Sequence, residues 1–193
     1  RVDLPAEIEI YDRDYTPGEP PFGTEADDGV PSMPRFGDGE NLLVTGSTHN
    51  ERGFRKVEDP QVHDKLVRRL NRKVLARVKD VCQHESFHLE DAELIVVAYG
   101  FTARSALRAV TLARAQGLKT GLLRLITIWP FDRDLFGGLS KKNVPFLVPE
   151  MNLGQVAELV KAVVGQDRVT SLTQVNGTTI TPAKILAAIE EAV

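Results

Sequence analysis

Two strings in this 193-residue chain combine residue types that do chemistry. His84-Glu85-Ser86-Phe87-His88 sets two imidazoles four residues apart around a glutamate. On a helix that spacing puts both rings on one face, where they hold zinc beside a Glu base. The arrangement needs an amphipathic helix and a third ligand further on. Here the string falls in a short connection between a basic stretch and an apolar run, and no histidine follows His88. A Cys82-His84-His88 cluster would bind zinc only adventitiously, and a zinc hydrolase would require stoichiometric metal in the purified protein. The second string, Gly100-Phe101-Thr102-Ala103-Arg104-Ser105, opens like a dinucleotide loop but has one glycine where that fingerprint needs three. No acid follows the next apolar run to hold a ribose, so a nicotinamide or flavin site is not expected. What survives is positional. Gly100-Phe101-Thr102 and Glu150-Met151-Asn152-Leu153-Gly154-Gln155 each follow an apolar run, and in open α/β sheets that edge is where ligands and partner surfaces gather. Glu150 and Asn152 either bond a ligand or tie down loops and a subunit interface. With no nucleophile elbow, no Ser-His-Asp order and no carboxylate pair, no catalytic residue and no metal ligand is assigned.

The elements that must position these loops are legible around residues 92–125. Leu94-Ile95-Val96-Val97-Ala98-Tyr99 is apolar without alternation, as a strand covered on both faces reads. Thr102 is expected to cap a helix from Ala103 to Gln116, with Leu107 and Val110 on its inner stripe and Gly117 as its left-handed stop. Lys119 to Leu125 begins a second strand, parallel to the first. The alternation continues with a short helical piece over 132–139, a strand over 144–148 and a helix closed by Gly165. A fourth strand over 168–175 has the mixed pattern of a sheet edge, and a last helix is capped by Thr181. An apolar segment, 41–45, reads as a further strand. From Asp59-Pro60 a helix is expected to about Lys79, burying Val62, Leu66, Leu70, Val74 and Val78. Its remaining face is strongly basic, either solvated or set to dock an acidic partner or an anionic ligand.

Composition bounds the function. The net charge of −3 argues against a nucleic-acid binder driven by bulk electrostatics. No apolar run approaches a membrane span, and no secretory signal is visible. One cysteine excludes an internal disulfide and fits a cytoplasmic location. The chain begins on Arg1 rather than Met, as a processed or truncated chain would. Residues 1–40 hold six of the eleven prolines (Pro5, Pro17, Pro20, Pro21, Pro31, Pro34) and the acidic Glu25-Ala26-Asp27-Asp28. They read as an extended Pro-rich arm or linker ahead of an α/β domain over 41–193. Within the arm, Gly37-Asp38-Gly39 resembles the start of a thiamine-diphosphate signature. It precedes its apolar run instead of following it, and Asn71 lies mid-helix, so a turn is the better reading.

Several long phrases together resemble one family. They are Thr45-Gly46-Ser47-Thr48-His49-Asn50-Glu51-Arg52-Gly53, Glu58-Asp59-Pro60, Val97-Ala98-Tyr99-Gly100 with Thr102-Ala103-Arg104-Ser105-Ala106, the run from Gly121 to Phe131, and Pro149 to Gln155. The chain resembles the α subunit of 2-oxoacid:ferredoxin oxidoreductases, most closely the 2-oxoglutarate type, from about Glu25 to the C-terminus. Asn50 where Asp is expected and Phe101 where Ser is usual are departures.

The resemblance implies a fold like the transketolase C-terminal domain: three layers, α/β/α, on a mostly parallel sheet of about five strands. It covers only that C-terminal domain of the subunit. It implies a β subunit and an N-terminal thiamine-diphosphate domain as partners, ferredoxin as the acceptor of the complex, and pairing as a dimer. Thiamine diphosphate, Mg and the iron–sulfur cluster belong to those other parts, and coenzyme A is a substrate of the whole. This chain alone is expected to bind no cofactor and to be inactive, serving assembly while the complex oxidatively decarboxylates a 2-oxoacid to acyl-CoA and CO2. His49 and Glu51 then join Gly100, Thr102, Glu150, Asn152, Gly154 and Gln155 as ligand or interface candidates. The alternative is a free-standing α/β module that binds a small ligand such as coenzyme A or a nucleotide.

Overall fold

A computed structural model describes residue 7 and residues 14–193. Pro5 and the rest of the arm's first residues lie outside the described residues. The chain divides into two compact units between Arg77 and Val78, so the basic helix groups with the Pro-rich segment.

The second unit is built on a five-stranded sheet. Its strands are β1 (His84–Phe87), β2 (Leu94–Tyr99), β3 (Thr120–Leu125), β4 (Phe146–Glu150) and β5 (Val169–Thr173), in the order β1-β3-β2-β4-β5. All neighbours are parallel except β1, which runs antiparallel to β3. The helices are α2 (Val78–Val81), α3 (Thr102–Ala115), α4 (Arg133–Ser140), α5 (Gln155–Val164) and α6 (Pro182–Ala192), while α1 (Pro60–Leu75) lies in the first unit. Alternate residues of one strand point to opposite faces, and β2 shows both faces covered. Ile95 and Val97 join Phe136 of α4 and Val156 and Val160 of α5 in one layer. Leu94, Val96 and Ala98 join Ala106 and Ala109 of α3 with Ile185 and Ile189 of α6 in the other. This is the expected three-layer α/β/α arrangement, and β5 is an edge, as its pattern foretold.

Gly117 ends α3 as expected. Its φ is +88°, its N–H bonds to Arg114 O at 3.0 Å, and the Leu118 N–H reaches back to Ala113 O at 3.0 Å. That pair of bonds is a Schellman stop, open to glycine at its left-handed residue at little steric cost.

The structure corrects several details. The fifth strand is His84–Phe87, not residues 41–45, which form no strand and leave Leu43 and Val44 exposed. An apolar run without a neighbour to complete its backbone hydrogen bonds has no ladder to join. The string's first four residues are therefore extended in β1 and His88 follows at φ +55°, so the two imidazoles do not sit one helical turn apart. Thr102 does not cap α3: Phe101 holds the cap position without a side-chain bond, and Thr102 is the first helical residue. Leu107 faces outward, and small residues (Ala103, Ala106, Ala109, Ala113) let α3 approach the sheet closely. The basic helix stops at Leu75 rather than Lys79.

The first unit is held differently. Asp59 caps α1 as expected, accepting from the Gln61 and Val62 N–H groups. The predicted apolar stripe is only half covered, with Leu70 exposed, and Arg69 is the buried residue of the helix. The acidic cluster of the arm lies on the basic face. Lys65 pairs with Glu25 at 3.2 Å, Arg77 with Asp28 at 3.4 Å, and Arg72 donates to Thr24 O at 3.3 Å. The helix thus finds an acidic partner within its own chain.

Candidate functional site

Strand register brings the two predicted loops to one edge. Tyr99 lies level with Leu125, while Ile95 and Val96 pair with Phe146 and Leu147. The loops after β2 and β4 therefore leave neighbouring strands side by side. Gly100, with φ +53°, turns the chain out of β2 into α3.

Glu150 is not in a loop. It is the last residue of β4 and fully buried. Burying a carboxylate is costly unless every oxygen is bonded, and here each is. Oε1 accepts from the Val156 N–H at 2.9 Å and from Tyr99 Oη at 3.0 Å, and Oε2 accepts from the Ala157 N–H at 2.9 Å. Asn152 completes the network. Its Nδ2 donates to Tyr99 Oη at 2.6 Å and to Glu150 Oε1 at 3.2 Å, while its Oδ1 accepts from Gly154 N at 2.7 Å and Gln155 N at 3.2 Å. Gly154 holds the N-cap position of α5, and the exposed Gln155 opens the helix. The phenol of Tyr99 is pushed up to about 12, first by burial and then by the Glu150 charge and hydrogen bond, against a lowering by Asn152.

This geometry decides what the loop can do. The unpaired amides at a helix N-terminus attract an anion, and at α5 the chain's own carboxylate already occupies them. A phosphate or a substrate carboxylate would have to displace Glu150 from four donors. Tyr99, read from sequence only as a strand residue, is the member that reasoning missed. A polar ring closing an apolar strand, level with an acid closing the next strand, is the signal that marks it.

The remaining candidates are dispersed. Thr102 is buried at the start of α3. His49 and Glu51 lie in the first unit, in a loop folded on itself. The Asn50 N–H donates to Phe54 O at 2.9 Å, the Gly53 N–H to Asn50 O at 3.0 Å, and Asn50 Oδ1 accepts from the Arg52 and Phe54 N–H groups. Gly53, at φ +86°, passes so near the Leu43 carbonyl that a Cβ would lie 2.1 Å from its oxygen, so only glycine fits. Glu51 pairs with Lys65 at 2.8 Å, and that bond holds its carboxyl below the ordinary value.

The donor set fits none of the cofactors weighed. An iron–sulfur cluster needs several thiolates, and the sequence has one cysteine. Cys82 Sγ donates to Pro130 O at 3.0 Å, and burial, then the Asp132 charge, raises its pKa. Asp38 closes its own turn by accepting from the Arg35 N–H, and Asn71 donates to Val67 O within α1, so neither is set to hold a diphosphate-bound Mg. Among the described residues no three His, Cys, Asp or Glu side chains converge as metal ligands.

One feature of the edge is apolar. Ten large apolar side chains are exposed in Val78–Val193, and seven of them follow the C-terminal ends of parallel strands. They are Phe101 after β2, Ile126, Ile128 and Trp129 after β3, Met151 and Leu153 after β4, and Val175 after β5. The opposite edge carries ion pairs, Asp91 with Arg114 and Glu93 with Lys119, each at 2.8 Å.

The fold and this edge define an open α/β module whose strand-end loops are structured by one another and whose rim is apolar. Residues 92–185 match the pyruvate:ferredoxin oxidoreductase core domain II, and the relatives the chain is similar to are subunits of 2-oxoacid oxidoreductases. It is similar to the 2-oxoglutarate synthase subunit KorA of Methanocaldococcus jannaschii, with 46% identity over 127 residues, 66% of this chain and 34% of that protein. The subunit KorA of Methanothermobacter thermautotrophicus is 35% identical over 191 residues, 96% of this chain and 50% of that protein. The chain thus spans half or less of the length of these relatives. In fold it resembles the 2-oxoglutarate:ferredoxin oxidoreductase of Magnetococcus marinus, solved with 2-oxoglutarate, coenzyme A and succinyl-CoA bound. The TM-score is 0.77 at 21% identity, covering 95% of this chain and 33% of that one.

Proposed function

We propose that this chain is the assembly module of an α-type subunit in a 2-oxoacid:ferredoxin oxidoreductase, with 2-oxoglutarate, the 2-oxoacid named for the similar KorA subunits, as the substrate. The whole complex would oxidise a 2-oxoacid with coenzyme A to acyl-CoA and CO2 and pass the electrons to ferredoxin. Thiamine diphosphate, Mg and the iron–sulfur cluster would sit in a β subunit and in an N-terminal thiamine-diphosphate domain, a reading supported by the single cysteine of this chain and by the absence of a metal-ligand cluster among the described residues. The observation that carries the reading is the apolar rim at the strand ends, on a module that makes up a third to a half of its relatives. Exposed apolar surface gathered on one edge marks a protein interface. The rim's proposed occupant is the part of the subunit lying outside the matched stretch, and a dimer follows if that part pairs. Gly100 and Thr102, with the Glu150-Asn152-Gly154-Gln155 loop, then shape the interface, as His49 and Glu51 do in the first unit. No helix among the described residues is long and apolar enough to cross a membrane, and a cytoplasmic complex is the proposed setting.

Glu150 also weighs against the alternative of a free-standing coenzyme A or nucleotide binder, since it fills the helix terminus that a phosphate would use. The test is enzymatic and calorimetric. The purified 193 residues should give no 2-oxoacid-dependent reduction of a viologen dye with coenzyme A, and no heat of coenzyme A binding. The native complex isolated through this chain should give the first. Turnover by the chain alone overturns the assembly role, and tight coenzyme A binding moves the alternative ahead.

A further inference from the structure

His49 combines three observations that the family reading does not use. Its Nε2 is buried and meets no hydrogen-bond partner among the described residues. Its Nδ1 lies 2.8 Å from the Ser47 carbonyl oxygen. A carbonyl only accepts, so Nδ1 carries a proton, and in the neutral ring Nε2 presents a lone pair. The ring is held edge-on to Phe22, with centroids 5.1 Å apart, and it borders a half-open pocket with room of about 20 Å³.

The size and lining of that cavity select its occupant. A cavity of that volume takes one water and nothing larger, and an ordered water needs two to four polar partners. Besides His49, the walls include Gly23, Asn50, Glu51, Lys65 and Arg69, with Phe22, Val62 and Leu66 as the apolar part. Left dry, the pocket would leave an acceptor nitrogen desolvated with no partner among the described residues.

We propose that this cavity is a binding site for one ordered water, which donates to His49 Nε2 and takes its other hydrogen bonds from the polar side chains around it. The water ties together three segments: the arm at Phe22-Gly23, the loop at His49-Glu51 and α1 at Lys65. His49 is then a positioning residue for the Thr45–Gly53 loop.

Two measurements on the full 193-residue chain test this. In long-range proton–nitrogen spectra, with the His49 signals assigned by their loss in His49→Gln, Nδ1 should be protonated and Nε2 should be a hydrogen-bonded acceptor. The variant Val62→Ile adds one methylene group to the cavity wall. A displaced water predicts a Tm lower by about 2–4 °C, whereas filling a dry cavity predicts a rise. A proton found on Nε2, or a Tm raised by Val62→Ile, overturns the proposal. Should that variant fail to fold, the ring tautomer alone decides.

Discussion

The two units of this chain are stable for different reasons. Every fully buried large apolar side chain among the described residues lies between Leu89 and Ile189. In residues 14–77 the buried positions are glycines, prolines and Arg69. The second unit is held by two apolar layers against a sheet, and burial at ~25 cal/mol per Å2 accumulates there. The first is held by an acidic segment lying on a basic helix and by side-chain bonds to backbone, in solvent-exposed pairs worth at most about 1 kcal/mol each. Charge organises a surface segment, but it does not supply a core.

The sharpest way to break this comparison is to open the core. Phe136→Ala should cost about 3–5 kcal/mol in urea unfolding, because Phe136 is fully buried and stacked on Phe131 at 4.7 Å. Hydrogen exchange should report the loss in β2 and β4, with α1 amides unchanged. Equal loosening of α1 would refute the division. Next comes the buried carboxylate. Glu150→Ala leaves the Tyr99 hydroxyl and two amides unpaired and should cost about 3 kcal/mol by the same measurement, with Glu150→Gln losing less. A neutral result for Glu150→Ala would mean that water satisfies those donors.

Tyr99 gives a smaller effect with a defined sign. Its folded pKa of about 12 stands above the ordinary tyrosine value of 10.0. The protonated ring therefore contributes stability fully below pH 10, and that contribution is lost as pH rises towards 12. Phenolate absorbance should show a component titrating near 12 that is absent from Tyr99→Phe. The smallest effect belongs to the first unit. Raising salt to about 1 M shortens screening to roughly 3 Å, so proteolysis between residues 14 and 58 should quicken while cleavage within 78–193 holds steady. Indifference to salt would shift the weight in that unit from ion pairs to hydrogen bonds.

Much of the second unit is legible in the sequence because its signals are local. β2 is uniformly apolar, Gly117 stops α3, and Thr181-Pro182 starts a helix with a bond made within three residues, as Asp59-Pro60 does in the first unit. Misreadings arise where the deciding partner is remote. Residues 41–45 have strand composition but no neighbouring strand. His84–Phe87 has polar composition, yet pairs with β3 as an edge where every second residue faces solvent. Leu107 fits an inner stripe by type, but closeness to the sheet favours alanine. At the site, sequence marks Glu150 and Asn152 as polar residues at a strand end. It does not reveal that Tyr99, 51 positions earlier, would complete the network, since strand register sets that contact.

The antiparallel edge strand β1 has a consequence for solubility. An open flank of a sheet is a template on which another extended chain can lengthen the ladder. On this side the flank is four residues long, and Glu85 on it is paired with Arg124 of β3 at 2.9 Å across the exposed row. An incoming segment would have to desolvate that ion pair for only a few backbone bonds. The string that looks at first like a metal site is thus a polar flank, with His84 exposed and Glu85 paired.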